Sequence, residues 1–580
     1  MRLFFPTIAA LMLATSVQAG VVRIEARLSD DAKSLELRYH APRGVRELPL
    51  LGQREAVQAW WARQAQAADD CTILKPGMLQ LRQGCTEARV RVALATLGAQ
   101  AHYEPAQPLG DSASDGGVVS YVGYWLTAVA GHGLRVTLIP PPRGQVLWQG
   151  RWTDRAVHWA LKPDEVTAAL APDDQGDTAR PSLGHRQTIY LGRAPSRALP
   201  GGGRLVFDAR LPAAVVDTVE ATLKDTVDVL TDAFGEGPGG PVGVMMVQIS
   251  GDRFIGNVSG GRSMTLNIIG SGADRPGVRG QIQRFVRHEA THWWDAGVRQ
   301  SDPQASWLGE GNAEWWALRL GVAQGASLDG ARSELETALN SCLQMTTSLP
   351  PKLRDWQGYP SARYPCGMSL MALAQGSRRP QGMGLRELAG LYPKNSVLTP
   401  DGVATWAGGD FARVLDAPLF TTALAAAYRD KGWAQDEPLE DTATGSPRRA
   451  SWMAASFWLG ELMRADCNNI SVSPAPDRVE IVAVDGQQCR SWPTRGEVVS
   501  IEGVAAIARP KTAQTALASA CAPGAAGRYR LGLADGTEVL VDCPSRLPSP
   551  PSRLRLVPER VAFLFTPPSA LTSHPSSAAP

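Results

Sequence analysis

Short runs of alternating apolar and polar residues fill the first third of the chain: VVRIEARL from Val21, SLELRYH from Ser34, ARVRVAL from Ala88, LRVTLI from Leu134, QTIYLG from Gln187 and GRLVFD from Gly203. A period of two turns one side of each run toward a core and the other toward water, as in strands of a half-covered sheet. Turn residues separate the runs, among them Pro-Arg-Gly at 42–44 and Pro-Pro-Pro-Arg-Gly at 140–144. Residues 20–205 are therefore expected to form a β-rich domain that flanks a cleft, with one helix over Gln58–Ala67.

The pattern changes near Phe207. Val215, Val219, Leu223, Val227 and Leu230 recur at helical intervals over Leu211–Phe234, and two apolar runs of strand length follow, Val242–Ile249 and Met264–Ile269. Arg284–Trp294 and the segment leading to Leu320 return to helical spacing. Residues 206–440 are assigned to a second, mainly helical domain, with Ser451–Met463 as an amphipathic helix closing it after a polar linker, Asp436–Arg449. Val479–Val484, Gly496–Ala506 with an internal Glu-Gly turn, a helical Thr512–Cys521 and a hairpin around Ala534-Asp535-Gly536 make a small third domain within 450–547. The last residues, 548–580, are rich in proline and serine and have little with which to build a core. The expectation is an α+β multidomain chain.

Candidate chemistry lies in the second domain. His288, Glu289 and His292 form an H-E-x-x-H, and on a helix the two histidines fall on one face one turn apart, where both can ligate one Zn2+. Glu289 can reach a water on the same metal. Glu310, separated from His292 by seventeen residues at the start of the next helix, is the candidate third ligand, leaving one tetrahedral position open for water as a catalytic zinc requires. Glu314 is four residues further on the same face, placed to hold a ligand histidine by its free ring N–H. The plainer alternative is that Glu310 and Glu314 are solvated helix-face charges.

Trp307, Leu308, Glu310, Gly311, Ala313 and Glu314 read W-L-x-E-G-x-A-E, which resembles the third-ligand segment of the gluzincin metallopeptidases. Tyr364-Pro365-Cys366-Gly367 resembles the Y-x-x-G segment of the aminopeptidase N and glycyl aminopeptidase families. That resemblance implies that the Tyr364 hydroxyl supports the oxyanion, with Tyr359 as the fallback and a half-buried aromatic beside a disulfide as the alternative. The chain looks like the secreted glycyl aminopeptidase family. This likeness implies a thermolysin-like catalytic domain whose small sheet can pair with an extended peptide, and a PDZ-like third domain. The Gly-Leu-Gly-Phe-like loop of a PDZ domain is missing, so a small β domain without peptide affinity is the alternative. Where those families place a glutamate that holds the substrate amine, this chain has Val258-Ser259-Gly260-Gly261-Arg262-Ser263-Met264, and an arginine repels an ammonium.

Cysteines and charge add a compartment and remove partners. Met1–Ala19 carries Arg2, an apolar run over 3–14 and Val17-Gln18-Ala19, the pattern of a signal peptide cleaved after Ala19. The mature protein is expected to be periplasmic or secreted, and no later stretch is long and apolar enough to span a bilayer. Eight cysteines fall into sequence neighbours, 71 with 85, 342 with 366, 467 with 489 and 521 with 543, and an oxidising compartment predicts four local disulfides. The net charge of +2 carries no footprint for nucleic acid or an anionic membrane. The expected function is an exported zinc metallopeptidase acting on a peptide or protein substrate, aminopeptidase-like or endopeptidase. The alternatives are a non-catalytic peptide-binding or scaffold protein on a peptidase fold, and zinc hydrolysis of another electrophile.

Overall fold

The structure, a computed structural model, describes residues 20–565 except 52–60, 95–105, 111–115, 171–187, 250–254, 260–261, 270–274, 299, 302–304, 345–351, 354–361, 394–396, 438–448, 465, 468–469, 476, 484–488, 546 and 548–552. Residues 1–19, expected to be a signal peptide, Tyr359, most of the linker and the end of the tail lie outside the described residues. Two compact units emerge: Met1–Lys224 with Pro238–Ile282, and Asp225–Gly237 with Gln283–Pro580.

Among the described residues the first unit holds four sheets, the smallest formed by Glu47–Pro49, Met78–Leu81 and Thr72–Lys75. A six-stranded sheet runs in the order Val157–Leu161, Gly133–Ile139, Val21–Leu28, Ser34–His40, Glu87–Ala93, Ala65–Ala67. Its strands alternate as their sequence demands: Val22, Ile24, Ala26 and Leu28 are buried while Val21, Arg23 and Arg27 face out. A five-stranded sheet includes Thr188–Gly192 between Gln145–Trp148 and Gly117–Tyr121. All of Thr188–Gly192 is buried, because Ile189 and Leu191 join Ile24, Leu37 and Val136 in one core while Tyr190 joins Val206, Met245 and Val247 in another. A sheet covered on both faces has no use for alternation. The third sheet pairs Arg204–Phe207, Gly243–Ile249 and Ser263–Ile269 in parallel, with Ile255–Ser259 antiparallel at one edge. Helix Ala213–Phe234 makes the crossover between the first two, as parallel neighbours require. The helix expected over Gln58–Ala67 is corrected at its end. Ala65–Ala67 is a strand paired with 90–92, since the backbone beside Glu87–Ala93 offers ladder partners that an isolated turn of helix lacks.

The second unit is organised on helix Ser306–Ala323, which buries Trp307, Leu308, Trp315, Trp316 and Leu320. Apolar residues lie all round it, so it must sit inside a bundle. Leu328–Gln344 and Arg363–Arg378 pack around it, the latter in backbone contact. A Cβ on Gly311 would fall 2.2 Å from Gly367 Cα, and one on Gly367 would fall 2.4 Å from the Trp307 carbonyl oxygen. Only glycine at both positions allows this approach. The disulfide Cys342–Cys366 ties the end of one flanking helix to the start of the other.

A small sheet follows, ordered Ile470–Pro474, Val479–Ala483, Arg495–Ile501, Arg528–Leu533, Glu538–Asp542, with helix Pro510–Ala520. Glu502 and Gly503, both at positive φ, make the expected turn between Ile501 and Val504. Helix Arg449–Arg464, expected to close the preceding domain, instead gives Trp458, Leu459, Leu462 and Met463 to the core of this sheet. The tail is also corrected. Arg553–Leu556 pairs with Ala434–Glu437, and Leu554, Leu556, Val561, Leu564 and Phe565 are buried. Asn340 exchanges two hydrogen bonds of 2.8 Å with the Leu554 backbone, and Gln375 donates to the Leu564 carbonyl at 2.9 Å. Six prolines and serines among the residues of 548–565 masked this return in the composition.

All four disulfides are those expected from sequence neighbours: Cys71–Cys85, Cys342–Cys366, Cys467–Cys489 and Cys521–Cys543. Among the described residues no helix is long and apolar enough to cross a membrane.

Candidate metal centre and active site

Helix Pro276–His292 carries the H-E-x-x-H and ends on its second histidine. The chain then widens into a π-turn, Trp293–Val298, a form frequent at functional sites. Buried Trp293 and Trp294 anchor it: the Trp294 indole donates to the Glu236 carbonyl at 2.9 Å and lies beside the Phe234 ring. The turn brings Asp295 back toward His292.

Three groups converge. His288 Nε2 and His292 Nε2 are 3.3 Å apart, and Glu310 Oε2 lies 3.3 Å from the first and 3.6 Å from the second. Tetrahedral zinc with bonds of about 2.0–2.1 Å sets its ligand atoms roughly 3.3–3.4 Å apart. The triangle fits that ion.

The outer contacts agree with the fit. His292 Nδ1 is 3.0 Å from Asp295 Oδ1, and His288 Nδ1 is 3.3 Å from Glu314 Oε1, a contact off the line of a good hydrogen bond. A carboxylate faces each Nδ1, and both Nε2 atoms are turned toward the same point as a carboxylate oxygen. Lone pairs so gathered need a cation.

Electrostatics say the same. Burial disfavours charge on His288, yet the carboxylates of Glu310 and Glu314 facing its ring nitrogens outweigh it and hold the ring up to about 9. Burial likewise opposes charge on His292, which Asp295 and Glu310 nevertheless raise well above the usual value. Glu314, though buried, is drawn down to about 2 by His288 and Arg284. Glu310 is held far below the usual carboxylate range by the two histidines against its burial. Glu289, 6 % exposed, is shifted the other way: burial raises it, the histidines oppose, and Glu310 and Glu314 add to the rise. One carboxylate is thus set apart from the others by the direction of its shift.

Tyr364 stands on the second turn-forming residue of helix Arg363–Arg378, its ring 5.9 Å from that of His288. Burial and the charge of Glu310 keep its hydroxyl protonated, against Arg363. Gly311 and Gly367 place it here, because the residue after Glu310 and the third residue after Tyr364 are the points where the two helices touch.

The five residues singled out from the sequence, His288, Glu289, His292, Glu310 and Tyr364, are brought together with Glu314 behind them. Arg262 belongs to the first unit, where its guanidinium lies against Gly240. Asp295, Arg284 and Arg363 were not foreseen. Asp295 follows His292 by three residues and Arg284 precedes His288 by four, spacings that put side chains beside the motif on one helical face. Arg284 ion-pairs with Glu314, and with Glu334 at 2.9 Å, so it fixes the carboxylate that faces His288. Arg363 adjoins Tyr364 in sequence and carried no pattern of its own.

Asp295→Asn is expected to weaken zinc affinity about 10–100-fold while the fold is kept, because an amide cannot raise the basicity of His292 as a carboxylate does. Competition with a chromogenic chelator measures it. Unchanged affinity would remove Asp295 from the site.

No protein-family model matches the chain, and no curated protein matches its sequence. Among solved structures, an aminopeptidase N family protein from Idiomarina loihiensis superposes with a TM-score of 0.56 at 13% identity, over 94% of this chain and 100% of that one. Yeast LTA4 hydrolase, solved with bestatin, gives a TM-score of 0.36 at 10% identity, over 77% of this chain and 73% of that one, too slight a likeness to carry an argument. At 13% identity the likeness concerns the fold alone: the chain shares the multidomain fold of the aminopeptidase N family protein.

Proposed function

We propose that the protein is a zinc-dependent peptidase. The observation that carries the reading is the triangle of His288, His292 and Glu310 at zinc-ligand spacing, with one buried carboxylate, Glu289, beside it. His288, His292 and Glu310 would hold Zn2+, which would supply Lewis acidity and a bound water with its pKa lowered toward about 7. Glu289 accepts the proton of the attacking water and returns it to the leaving amine. Tyr364 donates a hydrogen bond from its hydroxyl to the oxygen of the reacting carbonyl as charge develops there, and keeps its proton. Glu314 and Asp295 orient the two rings. A scaffold would need no buried base whose pKa is raised, so the non-catalytic alternative leaves Glu289 without a purpose.

The same reading makes the protein exported, periplasmic or secreted, supported by four disulfides of the kind an oxidising compartment keeps. In it the small sheet domain with helix Pro510–Ala520 is PDZ-like. The test is zinc stoichiometry on the purified protein together with cleavage of a peptide library read by mass spectrometry. One zinc per chain and cleavage abolished by chelation are expected. One zinc without any cleavage would leave a metal-binding scaffold in its place.

A further inference from the structure

The guanidinium of Arg363 stands at the edge of the candidate centre, against Tyr364 and Glu310. Its Nη2 donates to Tyr364 Oη at 2.9 Å and stands 3.4 Å from Glu310 Oε1, the carboxylate oxygen turned away from the histidines. Its Cζ is 4.9 Å from the centroid of the Tyr364 ring. One cation therefore touches both the third ligand and the oxyanion donor.

Resting on the peptidase reading, we propose that Arg363 is a specificity-determining residue that bars a free α-ammonium from the reacting position and selects internal or acylated peptide bonds. The argument is geometric. A carbonyl oxygen that accepts from Tyr364 Oη sits about 2.7 Å from it, and the α-nitrogen on the acyl side is two bonds from the carbonyl carbon. Even with every link extended, that nitrogen cannot lie more than roughly 9 Å from Arg363 Nη2, and most poses bring it closer. In a partly buried site such a distance is screened little.

A compensating anion is missing among the described residues of the centre. Glu310 is shared by His288, His292 and Arg363, Glu314 by His288 and Arg284, and Asp295 faces His292. Glu289 is left, and a base that held an ammonium could not take the water's proton. An amide nitrogen or an acetylated terminus carries no charge and meets no such opposition. The bond from Arg363 also occupies a lone pair of the Tyr364 oxygen, which leaves the hydroxyl O–H to donate a hydrogen bond to the substrate.

The experiment compares one peptide with a free and with an acetylated amino terminus on the zinc-loaded protein, reading kcat and KM for the first peptide bond. The acetylated form is expected to be cut with a kcat/KM at least about tenfold higher. Arg363→Gln should bring the ratio toward one, chiefly by lowering KM for the free peptide, with a lower kcat for both because Tyr364 loses its donor. Arg363→Lys should keep the preference, and keeps the test available if the glutamine variant does not fold. Faster or equal trimming of the free terminus by the wild-type protein, or an unchanged ratio in Arg363→Gln, would overturn the proposal. If neither peptide is cut although zinc is bound, the peptidase reading has failed instead. Calorimetric titration of the same two peptides then reads the charge directly: weaker binding of the free-amine form supports the barrier, and tighter binding refutes it.

Discussion

Glu289→Gln is expected to retain one equivalent of zinc and to lose turnover by about 10²–10⁴-fold. Glutamine has the shape of glutamate and can accept a hydrogen bond, but it cannot carry a proton from water to the leaving amine. His288, His292 and Glu310 are untouched, so metal content separates this loss from a collapse of the site. Stability should move the other way. Burial and the neighbouring carboxylates raise the pKa of Glu289, so the folded chain favours its neutral form. The stability this gives is complete below the unfolded pKa and is lost as pH rises through the folded one. At neutral pH the metal-free glutamine variant, which has no charge to bury, should melt at or above the wild-type temperature. Full peptidase activity in the variant would remove Glu289 from the proton path. A variant that had lost zinc as well would instead assign it to holding the metal.

Gly367→Ala should be nearly as damaging without touching a reacting group. The new Cβ would meet the Trp307 carbonyl oxygen at 2.4 Å and Gly311 Cα at 2.5 Å. Both are backbone atoms of the helix that carries Glu310, so neither can swing aside. The two helices must part, at a cost of about 1–3 kcal/mol or somewhat more for a tightly packed contact. Tyr364, three residues before Gly367, then moves relative to Glu310, and a displacement near 1 Å at a reacting centre costs about 10²-fold in rate. The control is Gly309→Ala on the same helix, where a Cβ would meet no atom within 4 Å. That substitution should be neutral or should stabilise by about 0.5–1 kcal/mol, since alanine favours the helix. Thermal melting and turnover of the two variants side by side decide the matter. Equal behaviour would show that the glycine contact does not hold Tyr364 in place.

Much of the site is legible because its geometry is local. His288 and His292 share a face by the period of the helix alone, and Glu310 and Glu314 do so by the same rule. The strands at 21–28, 34–40 and 133–139 follow from alternation on a half-covered sheet. Thr188–Gly192, covered on both faces, shows none in its burial, and its strand character rests on the turns and β-formers around it. The cysteine pairs were readable because each joins partners 14 to 24 residues apart.

What composition hid was contact between segments distant in the chain. The return of Arg553–Leu556 to Ala434–Glu437 needs a partner strand more than a hundred residues earlier, and no local pattern announces one. Helix Arg449–Arg464 is amphipathic whichever domain it serves, so its apolar stripe could not say which core would take it.

The sequence by itself determined which residues could ligate a metal, which carboxylate lies between the histidines and which cysteines are neighbours, because spacing along a helix or a short loop fixes what can meet. Only the tertiary structure decided that Glu310 reaches both histidines, that Asp295 turns back on His292 and that Arg363 stands against Tyr364 and Glu310. Those contacts depend on how closely two helices pack and on where a π-turn bends, and close packing is set by pairs of residues, such as Gly311 and Gly367, that are neighbours only once the chain has folded.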